Sequence, residues 1–220
     1  MAAAEHHHAS EVACLAVTQA NPGDVETTAD LATARMGVGQ ALAAMGKKDE
    51  ALDACRSGVK TFEQLASEHA DDDMVWRNTS ASVQMLGIVQ GKFGDPRAAM
   101  TSHTRALEID RRRVAADPAN AQAKRFVAVD LAWLAEVTAA AAELPDVTGD
   151  ERISGLHAAR DLYVESLKLL SELRDTKTLT AQFAPIITEV TGCIATLDEK
   201  LSSTTSRPAA AATGTTAPLR

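Results

Sequence analysis

The sequence predicts an all-α fold, a right-handed solenoid of three long helix-turn-helix repeats, and three observations lead there. First, Gly39, Gly87 and Ala135 are spaced 48 apart, and the match at that offset runs without a gap from about Asn21 to about Val137. Val38, Leu86 and Leu134 coincide, as do Gly46 and Gly94, Ala51 and Ala99, Val59 and Leu107, and Arg77 and Arg125. A fixed period of this size marks a repeat array, because each unit needs its neighbours to bury its apolar face. Second, 45% of residues are apolar but only 3% are aromatic, with alanine throughout. Small side chains let helices approach closely, which favours helix-on-helix packing. Third, no stretch has the β-branched and aromatic alternation of a strand.

The elements follow in order. Residues 1–20 are an N-terminal tail and partial helix, of which 10–20 looks like the remnant of a second helix. The repeats occupy about 21–68, 69–116 and 117–176. In the middle one, a first helix runs from near Asp71 to Lys92, with Val75, Val83, Leu86 and Val89 on one face. Gly94 suits the left-handed residue beyond a helix end. Asp95–Pro96 is an N-cap followed by proline in the first turn, and Asp117–Pro118 repeats the device to open the next unit. Gly46 and Asp49 punctuate the preceding repeat.

The third repeat carries a loop, Glu143–Asp150, with Pro145 and Gly149. Its second helix, about Ser154–Arg174, falls into line at an offset of 60, which places an insertion of 12 in the loop region. A capping helix covers 179–201 and an atypical end is expected there, since one face of a terminal repeat meets water. Residues 202–220 are rich in Ser, Thr, Ala and Pro and are expected to be a disordered tail.

Composition narrows the function. A net charge of −8 lacks the basic stripe a nucleic-acid backbone requires. The three cysteines, Cys14, Cys55 and Cys193, form no CxxC pair, so neither a zinc knuckle nor a disulfide framework is indicated. The N-terminus has no basic leader, and no apolar run reaches the roughly 18 residues of a membrane span. The expected product is soluble and cytoplasmic.

These positions resemble the tetratricopeptide repeat family. The family's Leu-Gly-like pair is Val38–Gly39, Leu86–Gly87 and Leu134–Ala135. Its alanine opening the second helix is Ala51, Ala99 and Ala159. Its aromatic place holds Cys55, His103 and Tyr163, its second small residue is Gly58, Ala106 and Ser166, and Pro118 serves as the closing proline. The family's unit is 34 residues, and the 14 extra here divide into seven per helix, nearly two turns, which lengthens each helix without rotating its face. DPANAQAKRFVAVDLAWLAEV with ARDLYVESLKLLSEL is also similar to the repeat tails behind bacterial serine/threonine kinase domains. No Gly-rich phosphate loop, His-Arg-Asp loop or Asp-Phe-Gly is present, so kinase activity does not carry over.

Individual chemistry is sparse. Gly37-Val38-Gly39 lacks a third glycine and a preceding strand, so it is not a dinucleotide loop. His6, His7 and His8 sit in a terminus without fixed geometry, and no metal or other cofactor is expected. His103 is a packed core histidine, Cys55 an inert buried thiol, and Arg111-Arg112-Arg113 a solvated face near a helix C-terminus. No Ser/His/Asp set can be assembled, and the chain is not expected to be an enzyme.

The remaining candidate is the inner groove lined by the first helices, which the resemblance implies takes a peptide or helix. Helical stepping places Met36, Gln40, Gln84, Ile88, Ala132 and Glu136 on it. Arg77 and Arg125 lie two turns before Gln84 and Ala132, so they are expected either to clamp a partner's carboxylate or to pair with Asp73 or Asp130. The expected function is a non-enzymatic scaffold or adaptor for a protein or peptide partner. The alternative is a detached regulatory region of a bacterial serine/threonine kinase system. Neither nucleic acid nor membrane is an expected partner, and the terminal helices offer a surface for a homodimer.

Overall fold

The computed structural model describes residues 2–21 and 24–205. Among them the chain is all-α, with eight helices: α1 (Ala2–Ala20), α2 (Val25–Ala44), α3 (Lys48–Glu68), α4 (Asp73–Lys92), α5 (Pro96–Ala116), α6 (Ala121–Ala142), α7 (Gly149–Asp175) and α8 (Ala184–Thr205), plus a 3-10 turn at Ala181–Phe183. Each helix packs chiefly on the next in sequence, so the eight form a sequential, solenoid-like array. The first helices α2, α4 and α6 begin at residues 25, 73 and 121, which keeps the 48-residue period to the residue.

The period has a packing cause. Within each repeat the first helix crosses the second where a small residue faces a larger one. A Cβ on Gly39 would lie 2.4 Å from the Cys55 sulfur, and one on Gly87 2.8 Å from the His103 ring. Ala135 and Tyr163 are buried together in the third unit. Two turns earlier on each first helix, Ala32, Ser80 and Ala128 meet Gly58, Ala106 and Ser166: a Gly58 Cβ would come 3.0 Å from the Ala32 carbonyl oxygen. There Ser80 donates to the Ala106 carbonyl at 3.3 Å, and Ser166 to that of Ala128 at 2.6 Å.

Gly39→Ala is therefore expected to lose about 1–3 kcal/mol by overpacking, whereas Gly192→Ala, with nothing near its Cβ, gains up to about 1 kcal/mol of helix propensity. Cys55→Ala should restore part of the Gly39→Ala loss. Urea unfolding of the four variants checks this, and equal costs at Gly39 and Gly192 would refute the close-crossing account.

Helix ends follow local chemistry. Gly46 and Gly94 adopt φ of 77° and 76°, the left-handed conformation that closes α2 and α4. Asp24, Asp72 and Asp95 cap α2, α4 and α5 through side-chain acceptors, and the cap-and-proline reading of Asp95–Pro96 holds.

Several boundaries differ from the sequence expectation. Asp117–Pro118 does not open α6: Asp117 ends α5, its side chain accepting from the Ala119 N–H, and Asn120 is the cap. Lys47 occupies the cap position of α3 without a side-chain capping bond, its Nζ donating instead to Glu50, and Asp49 lies in the first turn. Gly149 is helical rather than part of a loop, because Thr148 and Glu151 form a reciprocal capping box that starts α7 five residues before Ser154. The insertion of 12 thus divides into two residues at the end of α6, three in the connection and seven at the start of α7. The last helix begins at Ala184, five residues after Leu179, directly after the 3-10 turn at Ala181–Phe183. It ends at Thr205, beyond the expected Leu201, so residues 202–205 are helix, and the expected disordered tail from 206 to 220 lies outside the described residues. At the other end α1 spans nearly the whole of 1–20, with the side chains of His6, His7 and His8 outside the described set.

Candidate functional site

The first helices form one continuous face. α2 touches α4 and α4 touches α6 directly, while the second helices are bridged by the ion pairs Arg105–Glu63 and Arg111–Glu165. The stack is tighter on the first-helix side, which makes that side the inner one.

Two hollows lie on it. One, of about 220 Å³, sits between α2 and α4 and is lined by Thr33, Met36, Phe62, Asn78, Ser82 and Met85. The other, of about 140 Å³, sits between α6 and α8 and is lined by Ala132, Trp133, Glu136, Tyr163, Glu189 and Cys193, among others. Both are largely apolar, as a docking surface for side chains requires.

The predicted groove residues divide between these places. Met36 is buried, at 8% exposure, and forms the floor of the first hollow rather than a projecting contact. Gln40 reaches across to the Met85 sulfur. Gln84 is half-buried and donates to Asp130 at 2.6 Å, and so bridges α4 to α6 between the hollows. Ile88 is half-buried. Ala132 and Glu136 line the second hollow.

Arg77 and Arg125 share a register but not an environment. Arg77 leans on the Asn78 side chain. Arg125 donates to the Thr178 carbonyl at 2.7 Å and lies 5.8 Å over the Phe183 ring. Its fork holds the α7–α8 connection, so the two arginines do not form a matched open pair. Neither pairs with Asp73 or Asp130 as the alternative expectation had it: Asp73 binds Arg113, and Asp130 binds Gln84.

Arg113 itself overturns a second expectation. It is 4% exposed, not on a solvated face. Its Nε and Nη2 hold Asp73 at 2.7 and 3.0 Å, and its Nη1 holds Asp110 at 2.6 Å. Asp110 also accepts from Ser80 at 2.5 Å. Burial raises the pKa of the Asp110 carboxyl, and the Ser80 and Arg113 hydrogen bonds oppose that shift. Asp130 is held well above the usual carboxylate range, first by burial and then by the charge of Asp110. Arg113 thus favours the charged form of Asp110, while burial and the neighbouring charge favour the protonated form of Asp130.

A sequence signal for this cluster existed. Asp110 and Arg113 stand 48 residues after Phe62 and Leu65 and 60 before Leu170 and Leu173, all buried apolar residues. Charges at core register positions of one repeat mark a buried network.

Two turns before Asp110 on α5, His103 is fully buried with neither ring nitrogen hydrogen-bonded. It stacks on Trp133 at 6.0 Å, with 8° between the planes, and burial lowers its pKa to about 4. The Cys55 thiol is raised to about 11 by burial, which suppresses the reactive thiolate.

Among the described residues no group of three metal-ligating side chains converges, and no helix is long and apolar enough to cross a membrane. The cysteines Cys14, Cys55 and Cys193 are all free thiols.

No protein-family model matches the chain, and no curated protein does. Among solved structures it is similar to the crystal structure of a de novo designed helical repeat protein, with a TM-score of 0.38 and 13% identity over 93% of this chain and 96% of that one.

Proposed function

We propose that this chain is a non-enzymatic interaction scaffold that seats a peptide or helix of a partner protein along its first-helix face. The observation that carries the reading is the pair of apolar hollows on that one face. The strongly perturbed groups Cys55, His103, Asp110 and Asp130 lie instead in the core, committed to structural partners or to packing, and Tyr163, buried and neutral, forms part of a hollow's wall. Buried groups of that kind stabilise or specify a fold, whereas a partner surface needs accessible apolar anchors. The small-on-large crossings repeated at Gly39–Cys55, Gly87–His103 and Ala135–Tyr163 support reading the units as long-helix variants of the tetratricopeptide type. The fold class alone would not assign a function.

The test is affinity capture from host lysate with the wild type, Met85→Lys and Ala132→Arg, beside Glu108→Arg on the second helix α5. Partners lost with the two hollow variants and kept with Glu108→Arg are the expected result, at unchanged helical content by circular dichroism. Partners retained by both hollow variants would sink the reading.

A further inference from the structure

We infer that the hollow between α6 and α8 is the seat of a cationic side chain, a lysine or arginine on an otherwise apolar partner segment. This rests on the scaffold reading and specifies the chemistry of the partner. The walls are largely apolar: Val129, Ala132 and Trp133 come from α6, Tyr163 from α7, and Ile186 and Val190 from α8.

Two carboxylates, Glu136 and Glu189, are exposed and line the same hollow. Among the described residues neither has an ion-pair partner. Several other acids in this half of the molecule are matched, Glu143 with Arg152 and Lys200, Asp198 with Arg160, Glu165 with Arg111, whereas the exposed Glu172 and Glu199 share the lack of an ion pair but line no part of this hollow. The Tyr163 phenol stays neutral, because burial, Cys193 and Glu136 all raise its pKa. The hollow therefore presents unbalanced negative charge over aromatic and aliphatic walls.

A lysine or arginine fits that combination in both parts. Its methylene stem covers apolar surface while its head stays at the carboxylates, and a cation gains from the aromatic rings. An acidic side chain would be repelled, and a neutral one would leave the two carboxylates unmatched. The net charge of −8 steers the same class of partner. The α2–α4 hollow differs in kind, since its polar lining residues Thr33, Asn78 and Ser82 are uncharged.

The experiment titrates the full chain with three synthetic 12-residue peptides, alternating Leu–Lys, Leu–Glu and Leu–Gln. Its readout is the Trp133 indole N–H resonance, with Trp76, whose indole is bound to the Ala70 carbonyl, as internal reference. Leu–Lys is expected to shift Trp133 and leave Trp76 in place. Its affinity should fall at least 10-fold in Glu136→Gln/Glu189→Gln and stay unchanged in Glu108→Gln/Glu172→Gln, which removes two exposed acids elsewhere. Equal affinity in Glu136→Gln/Glu189→Gln, or equal binding of Leu–Glu, overturns the cation seat. Shifts at Trp133 with only the neutral or acidic peptide would overturn it while keeping the scaffold reading. No shift on the first-helix face with any of the three counts against both.

Discussion

Arg113→Leu is expected to destabilise the array by about 3–5 kcal/mol, and adding Asp110→Leu is expected to restore most of that loss. The reason is an asymmetry of buried charge. Removing one partner of a buried ion pair strands the other without solvent, whereas replacing both by apolar groups removes the desolvation cost as well as the attraction. Asp110 is 1% exposed and leans on Arg113 at 2.6 Å, so it is stranded by the single change. Asp73, the other partner, has a side chain 54% exposed and recovers water. Asp110→Leu alone costs less, because Arg113 keeps Asp73 and Ser80 keeps the Ala106 carbonyl. The space exists, since the equivalent positions of the flanking repeats hold Phe62 with Leu65 and Leu170 with Leu173, all buried. Urea unfolding of wild type, both singles and the double measures the coupling. Strict additivity of the two single costs would show that the network is not a unit.

That the middle repeat differs from its neighbours explains how far the sequence could be read. The 48-residue recurrence exposed the helix pairs because close crossings demand small residues at fixed places, and Gly39, Gly87 and Ala135 meet that demand visibly. The cap-and-proline pair marked a helix start at Asp95–Pro96 but not at Asp117–Pro118, where Asn120 two residues later caps α6. Helix starts were also not legible where the deciding bond is reciprocal: Thr148 and Glu151 carry Gly149 into α7 although glycine and the nearby Pro145 suggest a loop. For the candidate site, register along a helix gave the face but not the depth. Met36 and Gln84 share a face, yet one forms a floor and the other a bridge. Arg77 and Arg125 share a position, yet only Arg125 has the α7–α8 connection to bind. A charged residue such as Arg113 looks solvated in one dimension, and only its alignment with Leu65 and Leu173 reveals that the fold must bury it.

The same buried network makes stability depend on pH in a way that the wild type conceals. His103 has its pKa lowered from 6.5 to about 4 by burial. Its contribution to stability is complete above pH 6.5 and is lost as pH falls toward 4, at about 1.4 kcal/mol per unit, because the unfolded chain takes a proton that the folded chain refuses. Asp130 has the opposite sign. Its pKa is raised well above 3.8 by burial and by Asp110, so its contribution is complete below that value and is lost as pH rises toward its folded pKa. Between pH 4 and 6.5, the folded and unfolded values of His103, folding expels a proton from His103 while the raised Asp130 carboxyl favours proton uptake, so the two slopes oppose each other. Single variants separate them. Asp130→Asn keeps an acceptor for Gln84 and removes the proton uptake, so its stability should climb with pH in that window, by at most about 1.4 kcal/mol per unit. His103→Phe fills the aromatic slot that Tyr163 fills in the next repeat, and its stability should instead fall as pH rises. The wild type and the double variant should both be flatter than either single variant. Chemical unfolding at five pH values for the four proteins gives the slopes, and parallel profiles would mean that neither group carries the linkage. Above pH 6.5 His103 no longer compensates, and the wild type should lose stability as Asp130 approaches ionisation beside Asp110.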